Sequence, residues 1–187
     1  MDIQTAITQR RTIRRFENRE VTNDQLKKLV DLSRLYASGA NLQPIRFIGV
    51  TNETLRNRIF AGLRWAAYLP GFEILPEHRP MAYIVLTCDS QKKASCRFDL
   101  GAASTTLMLA AEGEGLATCA LASFNREKLI EDLQIPENVE PLLVIALGYP
   151  AQKSKAVPYA GDVKYYEDEA GELCVPKLSL EEVLTIY

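Results

Sequence analysis

Two apolar runs of strand length constrain the fold of this chain more than any other feature. Met81 to Thr87 and Pro141 to Leu147 contain no charged residue, and continuous apolar runs of this length predict strands that are buried on both faces. Between them, Phe98 to Gly113 is small and apolar nearly all round. That pattern predicts a helix in the middle of the fold or at a dimer interface. The strands therefore need helices on both sides of their sheet.

Helical and strand patterns alternate over the rest of the chain, but not as regular crossover units. Capping-box patterns at Thr22 with Gln25 and at Ser179 with Glu182 mark two helix starts. Including the two helices that begin at these boxes, helices are predicted over residues 2–9, 22–35, 55–69, 125–133 and 180–186. Shorter strands are predicted over 45–51 and 118–122. Residues 151–176 are more polar and predict an irregular tail. We predict an α+β fold, a mixed sheet flanked by helices, in a single domain spanning 1–187.

Charge and cysteine content exclude several classes of protein. The pI near 5.6 argues against a nucleic-acid binder, and no apolar run is long enough to cross a bilayer. The opening residues lack the pattern of a signal peptide, so a cytoplasmic location is expected. None of the four cysteines forms a C-x-x-C pair, and only one histidine is present. We therefore expect no metal site, and cysteines that are reduced and mostly buried.

The segment from Arg10 to Phe16 places four arginines within six residues of a mildly acidic chain. In an extended backbone Arg10, Thr12 and Arg14 would point to the same side. Two guanidinium groups and a hydroxyl on one side favour a phosphate or a polar heterocycle as ligand. Arg15 would lie on the opposite face and serve a structural role. The alternative is a solvated surface patch, which isolated arginine pairs commonly form.

A second polar segment runs from Ser38 to Pro44. If this loop is extended, Asn41 and Gln43 share a face, and their amides offer donors and acceptors together. That combination suits the edge of a ring with alternating carbonyl and N–H groups, while Gly39 and Ala40 would let a planar ligand approach the backbone. The alternative is a helix C-terminus followed by a polar turn.

These two segments and three later segments together resemble the pattern of a known family. Gly115 to Cys119, Leu147 to Pro150, and Val175 to Lys177 before the closing helix occur in matching order and approximate spacing. The chain resembles the nitroreductase family of FMN-dependent oxidoreductases over nearly its whole length. The resemblance implies a homodimer with two FMN sites at the subunit interface, each lined by both chains.

The resemblance also implies roles for particular residues. The FMN phosphate, ribityl chain and pyrimidine edge would contact Arg10, Arg11, Thr12 and Arg14. The flavin would be reached by Ser38, Asn41 and Gln43, the first two from the partner chain. Backbone groups around Ala122 and Ser123 would approach the ring, and Lys177 is a candidate for a more distant phosphate contact.

Three aromatic residues and one histidine have two interpretations each. Trp65, Tyr68 and Phe72 would wall the pocket above the flavin and stack on an aromatic substrate, or else form ordinary core or interface packing, which we favour. His78 lies in a charged loop and is interpreted as a surface residue rather than a catalytic one. No P-loop, dinucleotide fingerprint or hydrolase elbow is present.

The resulting hypothesis is an FMN-dependent NAD(P)H oxidoreductase that reduces nitroaromatic, quinone or similar flat electrophiles by ping-pong hydride transfer. No protein side chain is assigned as catalytic, because the flavin N5 carries the chemistry and Arg14 tunes it. The alternative is a non-catalytic flavin-binding carrier or sensor. Dehalogenation and flavin fragmentation, which relatives of this fold perform, are ranked lower because no added lid motif is found.

Overall fold

The central element of the fold is a four-stranded sheet. A computed structural model describes residues 1–89 and 96–187. The sheet consists of β1 (Ile45–Val50), β2 (Ala82–Asp89), β3 (Ala117–Leu121) and β4 (Val139–Gly148). Their order is β1-β2-β4-β3, and all three pairings are antiparallel. The two apolar runs form its centre, as predicted.

Helices surround this sheet. They are α1 (Ile3–Gln9), α2 (Asn23–Ser33), α3 (Glu53–Ala61), α4 (Cys96–Gly113), α5 (Arg126–Leu133) and α6 (Leu180–Val183). Both predicted capping boxes are present, with the side chains of Thr22 and Ser179 accepting hydrogen bonds from the third helical residue. In the described part of the chain, no helix combines the length and apolar character that a bilayer crossing requires.

Strand β2 shows why helices are needed on both faces. Its successive side chains alternate, so that Ile84 and Leu86 enter one core, and Tyr83 and Val85 enter a second. The first core also contains apolar side chains of α2 and α4, and the second contains side chains of α3 and α5. The prediction of a sheet covered on both sides is confirmed.

The predicted helix over 55–69 is too long, because α3 ends at Ala61. Gly62 is the C-cap, and its carbonyl accepts a hydrogen bond from the backbone of Asn125 at 2.8 Å. Leu63 then pairs with Phe124 in an isolated antiparallel bridge. Pairing with a distant segment thus replaces further helical turns.

The prediction of an irregular tail is wrong, because the tail forms a second sheet. Its three strands are β5 (Ser154–Pro158), β6 (Tyr166–Glu167) and β7 (Leu173–Lys177), in the order β5-β7-β6. The β5–β7 pairing is parallel and the β6–β7 pairing antiparallel. Helix α6 is shorter than predicted, and all its residues are exposed, so no core contact stabilises additional turns.

The expectation of four reduced cysteines is wrong for two of them. Cys88 at the end of β2 and Cys96 at the start of α4 form a disulfide, with Cα atoms 6.5 Å apart. The end of the strand and the first turn of the helix are adjacent in space, which sequence spacing did not reveal. Cys119 and Cys174 are buried thiols, as expected.

Candidate functional site

The arginine segment is extended, as predicted, and lies against the edge of the central sheet. Thr12 forms a parallel bridge with Thr118 of β3, and the backbone N–H of Ile13 donates to the Thr118 carbonyl at 3.0 Å. Phe16 bridges to Pro150 beyond the end of β4. The backbone is therefore held on both sides, and alternate side chains are directed to opposite faces.

Arg14 is the most enclosed member of the segment. Only 8% of it is exposed, and its guanidinium lies 4.4 Å from the centroid of the Tyr165 ring. Its backbone N–H donates to Oε1 of Gln152 at 3.2 Å. Within the described residues, its Nε and Nη1 atoms are buried without a hydrogen-bond partner. The side chain is thus fixed in place with two donors unused.

Arg10 and Arg11 lie at the C-terminal end of α1. Nη2 of Arg11 donates to the carbonyl of Thr8 at 2.7 Å, which satisfies an orphan carbonyl of that helix. Burial, and secondly the charge of Arg11, lower the pKa of Arg10, while Glu112 acts in the opposite direction. Burial raises the pKa of Glu112 itself, and the two arginines oppose this. A carboxylate from α4 therefore belongs to this cluster.

Unused donors collect around the arginine segment. Besides Arg14, the Nε of Arg11 and the Oγ1 of Thr118 are buried without a partner among the described residues. Unsatisfied buried polar atoms are costly, and a group of them needs an explanation. Unused donors and positive charge of this kind favour a ligand that accepts hydrogen bonds and carries negative charge.

Arg15 was predicted to lie on the face opposite Arg14 and to serve a structural role, and its contacts are of that kind. Its Nη1 lies 2.8 Å from Oε1 of Glu167 in β6, and its guanidinium is 4.6 Å from the Phe72 ring centroid. The carboxylate of Glu167 also accepts from Nε2 of Gln152 at 3.4 Å. These contacts tie the small sheet to the arginine segment.

The segment over residues 38–44 is not extended but contains a turn, which agrees with the alternative of a polar turn. Gly39–Asn41 forms a single 3₁₀ turn, closed because Oγ of Ser38 accepts from the backbone N–H of Gln43 at 2.7 Å. Nε2 of Gln43 nevertheless donates to Oδ1 of Asn41 at 3.1 Å, so the two amides still meet. Ala40 has a φ of 47°, a conformation that costs a residue with a Cβ free energy.

Asp99, near the start of α4, holds this loop in place. It is 3% exposed, and its carboxylate accepts from the Ser38 hydroxyl at 3.2 Å and from the Gly39 backbone N–H at 3.1 Å. The sequence interpretation missed this residue, because an acid at a helix start normally indicates only a favourable interaction with the helix dipole.

The remaining cofactor candidates lie on other elements of the chain. Ala122 and Ser123 are exposed directly after β3, where the Ser123 carbonyl accepts from the Arg64 backbone N–H at 3.1 Å. Lys177 is exposed at the end of β7, and its carbonyl accepts from the backbone of Tyr159. Within one chain, the backbone hydrogen bonds and bridges of the described residues join neither these positions nor the 38–43 loop to the arginine segment.

The three aromatic candidates divide into two groups. Trp65 packs against Phe60 with ring centroids 5.6 Å apart and lies beside the second core. Tyr68 instead packs against Tyr165 with centroids 5.1 Å apart and the rings tilted by 54°, and Phe72 lies under Arg15. Tyr68 is therefore connected through Tyr165 to Arg14. Tyr165 was not predicted, because the tail offered no periodicity that would place it.

His78 is half-buried rather than a free surface residue. Its Nδ1 lies 3.2 Å from the carbonyl oxygen of Phe16, whose own N–H donates to the His78 carbonyl at 3.0 Å. This contact attaches the 76–78 turn to the arginine segment. A structural role follows, consistent with the expectation that His78 is not catalytic.

Comparisons with known proteins match this arrangement to one family. The model of the Nitroreductase family matches residues 7–68 and 78–149. A protein of Methanothermobacter thermautotrophicus assigned by name to the NADH dehydrogenase/NAD(P)H nitroreductases is 31% identical over 81% of this chain and 79% of its own length. The FMN reductase [NAD(P)H] of Bacillus subtilis is 27% identical over 82% of this chain and 68% of its own.

Solved structures agree with the sequence comparisons. The crystal structure of a nitroreductase family protein from Clostridium novyi has a TM-score of 0.70 and 26% identity, covering 80% of this chain and 86% of that one. A nitroreductase family protein from Clostridium difficile has a TM-score of 0.71 over 99% of this chain and 98% of its own, and at 19% identity it shows the fold alone.

Proposed function

The chain belongs to the nitroreductase family, and from that premise we propose that it is an FMN-dependent oxidoreductase that takes electrons from NADH or NADPH. The relatives named above include an FMN reductase that uses NAD(P)H. The family supplies the class of reaction, and the residues of this chain must account for the binding of the cofactor.

The group of unused donors beside the arginine segment is the observation that carries the proposal. Buried nitrogens of Arg11 and Arg14 and the buried hydroxyl of Thr118 have no partner among the described residues. FMN offers a phosphate at one end and carbonyl oxygens along the pyrimidine edge of its ring, all of them acceptors. The residues present therefore fit this cofactor, whereas an apolar ligand would leave the donors unsatisfied.

We assign the binding residues accordingly. The arginine segment contributes Arg10, Arg11, Thr12 and Arg14. A second set would approach the flavin from elsewhere: Ser38, Asn41, Gln43, the backbone around Ala122 and Ser123, and Lys177 as an outlying phosphate contact. Gln43 and Asn41 are already joined by a hydrogen bond, which restricts their rotamers before a ligand binds.

The protein contributes placement and electrostatic field to the reaction. Bound FMN supplies hydride acceptance from the nicotinamide and electron transfer to the second substrate. Arg14 would hold a fixed positive charge at the pyrimidine edge, where negative charge accumulates on reduction. Burial raises the pKa of Cys119 to about 11, with Arg14 opposing the shift, so this neighbouring thiol stays protonated at neutral pH and does not compete as a nucleophile.

Flat electrophiles such as nitroaromatic compounds and quinones are the acceptors we infer. Tyr68 places an aromatic ring near Arg14 through Tyr165, whereas Phe72 lies against Arg15 on the opposite face of the segment. Aromatic walls favour planar substrates. Trp65 would support this wall from the core side. One pocket would serve donor and acceptor in turn, which leads to ping-pong kinetics.

A homodimer would complete the site. Large apolar side chains are exposed on α1, α4 and the C-terminal segment, among them Ile3 at 64%, Phe98 at 87% and Ile186 at 83%. Exposed apolar side chains gathered on a few elements are typical of association surfaces. Among the described residues, no backbone hydrogen bond or bridge joins the 38–43 loop to the arginine segment of the same chain, and we infer that Ser38 and Asn41 are supplied by the partner.

Absorbance spectroscopy tests the proposal directly. The purified protein, with FMN added if it is colourless, should show flavin absorbance that remains with the protein on gel filtration. Anaerobic NADH or NADPH should then bleach this absorbance rapidly, and a quinone should restore it.

Two contrary results are informative. Protein that retains no flavin overturns the proposal altogether. Protein that retains FMN but stays oxidised under both nicotinamide donors would instead be a flavin carrier or sensor.

A further inference from the structure

A second cavity, apart from the proposed flavin site, has the chemistry of an anion site. We propose that it binds a small oxyanion, a carboxylate or a phosphate, between α3 and the segment 76–81. We call it the Tyr83 cavity, since Tyr83 lines it together with Arg56 and Arg79. Its volume of about 460 Å³ accommodates a small ligand. None of its lining residues belongs to the proposed flavin site.

Tyr83 supplies an unused donor. The residue is 0% exposed, and no hydrogen-bond partner for its hydroxyl is found among the described residues. Burial raises the pKa of this phenol, while the charges of Arg56 and Arg79 oppose the rise. The neutral hydroxyl can therefore donate to a ligand oxygen, and a buried hydroxyl left without a partner would be destabilising.

Two guanidinium groups accompany this hydroxyl, and the protein fixes both. Nε of Arg56 donates to the Thr51 carbonyl at 3.0 Å, and its Nη1 donates to the Pro80 carbonyl at 3.1 Å. The guanidinium of Arg79 lies 4.4 Å from the Phe60 ring centroid. In the described part of the chain, its Nε is buried without a partner. Donors that are already held in position lose little entropy when an anion binds.

The charge balance favours an anion over a cation. Glu53 and Glu77 also line the cavity, but both are exposed to solvent, whereas Arg56 and Arg79 are half-buried. Across residues 1–89 and 96–187, neither guanidinium forms an ion pair with a carboxylate. Solvent screens the exposed carboxylates more than the enclosed guanidinium groups. The inner wall therefore presents net positive potential and two unused donors.

Isothermal titration of the FMN-loaded protein tests this proposal, because bound FMN occupies the phosphate-binding arginine segment. Inorganic phosphate and benzoate are titrated separately at constant ionic strength. We expect saturable binding of at least one probe, and the probe that binds identifies the ligand as phosphate-like or carboxylate-like. Tyr83→Phe and Arg79→Gln should each weaken binding by about tenfold, since each removes a hydrogen bond to a charged ligand.

Arg34→Gln is the matched control and should leave binding unchanged, because Arg34 is an exposed arginine at the C-cap of α2, outside the cavity. Tyr83→Phe preserves the shape of the core, so the test stands even if Arg79→Gln fails to fold. Absence of saturable binding of both probes overturns the proposal. Binding of wild-type strength in Tyr83→Phe overturns it equally.

Discussion

Arg14 combines two properties that rarely occur in one side chain. Its guanidinium is enclosed and oriented by Tyr165, yet two of its nitrogens lack partners in the described part of the chain. Holding a charge in a buried position is costly unless something compensates it. A bound phosphate or flavin edge would provide that compensation. Ligand binding would therefore offset the cost of burying the Arg14 charge.

Removing this side chain should weaken cofactor binding. We expect Arg14→Ala to raise the dissociation constant for FMN by about 10- to 100-fold, the range for losing one or two hydrogen bonds to a charged group. Reduction by NADH should also slow, because the positive charge at the ring edge is lost. Fluorescence titration with FMN and stopped-flow absorbance measure the two effects.

Arg15→Ala is the matched control for Arg14. It removes a neighbouring arginine whose ion pair with Glu167 is partly exposed, and such pairs contribute at most about 1 kcal/mol to stability. FMN affinity should therefore remain near that of the wild type. Equal loss of affinity in both variants would remove Arg14 from the proposed site.

Gly148 shows how closely the arginine segment packs on the sheet. A Cβ at this position would lie 2.8 Å from Cδ1 of Phe16, whose ring is fully buried. We expect Gly148→Ala to lower the free energy of unfolding by about 1–3 kcal/mol through overpacking. A Cβ at Gly113, the last residue of α4, would meet no other part of the described chain within 4 Å, so Gly113→Ala should not destabilise the protein and, by helix propensity, should stabilise it. Urea unfolding compares the two, and an undisturbed Gly148→Ala would contradict the close approach.

At the scale of whole elements, the loop over 38–43 depends on helix α4. The first turn of α4 places the Asp99 carboxylate against Ser38 and Gly39. The loop has few other means of keeping its shape, because residues 39–43 are exposed. The position of the helix therefore determines the position of the amides.

Asp99→Ala should release this loop. Loss of two hydrogen bonds to a buried carboxylate is expected to cost about 2–4 kcal/mol of stability, reduced by the removal of a buried charge. FMN affinity should fall as well, because Asn41 and Gln43 are no longer held. Urea unfolding and FMN titration report the two effects. Asp24→Ala, at an exposed acid of α2, serves as the control, and unchanged FMN affinity in Asp99→Ala would separate the loop from the cofactor.

At the scale of the whole molecule, the chain exposes apolar surface that its own fold does not cover. Helix α1 packs against α4, and both expose large apolar side chains, as does the C-terminal segment. The sheet and its two cores are complete within one chain, so this surface is not needed for folding the monomer. It is instead available to a second copy.

Association should therefore be sensitive to Phe98. We expect the wild type to sediment as a dimer and Phe98→Glu to shift the equilibrium towards monomer, because burying an unpaired carboxylate at an interface is strongly unfavourable. Lost FMN retention should accompany dissociation if each site is lined by both chains. Lys27→Glu, at an exposed position of α2, is the control that adds negative charge elsewhere. A Phe98→Glu variant that remains dimeric would place the interface elsewhere.

The sequence by itself determined those features whose causes lie within a few residues. The capping boxes at Thr22 and Ser179, the apolar strands β2 and β4, and the extended arginine segment all follow from local spacing and side-chain chemistry. Ordered motifs additionally identified the family, which the family model matches over residues 7–68 and 78–149.

Tertiary structure alone decided where distant segments meet. Gly62 ends α3 because its carbonyl accepts from Asn125, and the Arg14 backbone donates to a side chain 138 residues away. The second sheet likewise depends on parallel pairing between β5 and β7. Contacts of this kind depend on the free energy of the assembled core. Sequence periodicity reports only local structure and does not predict them.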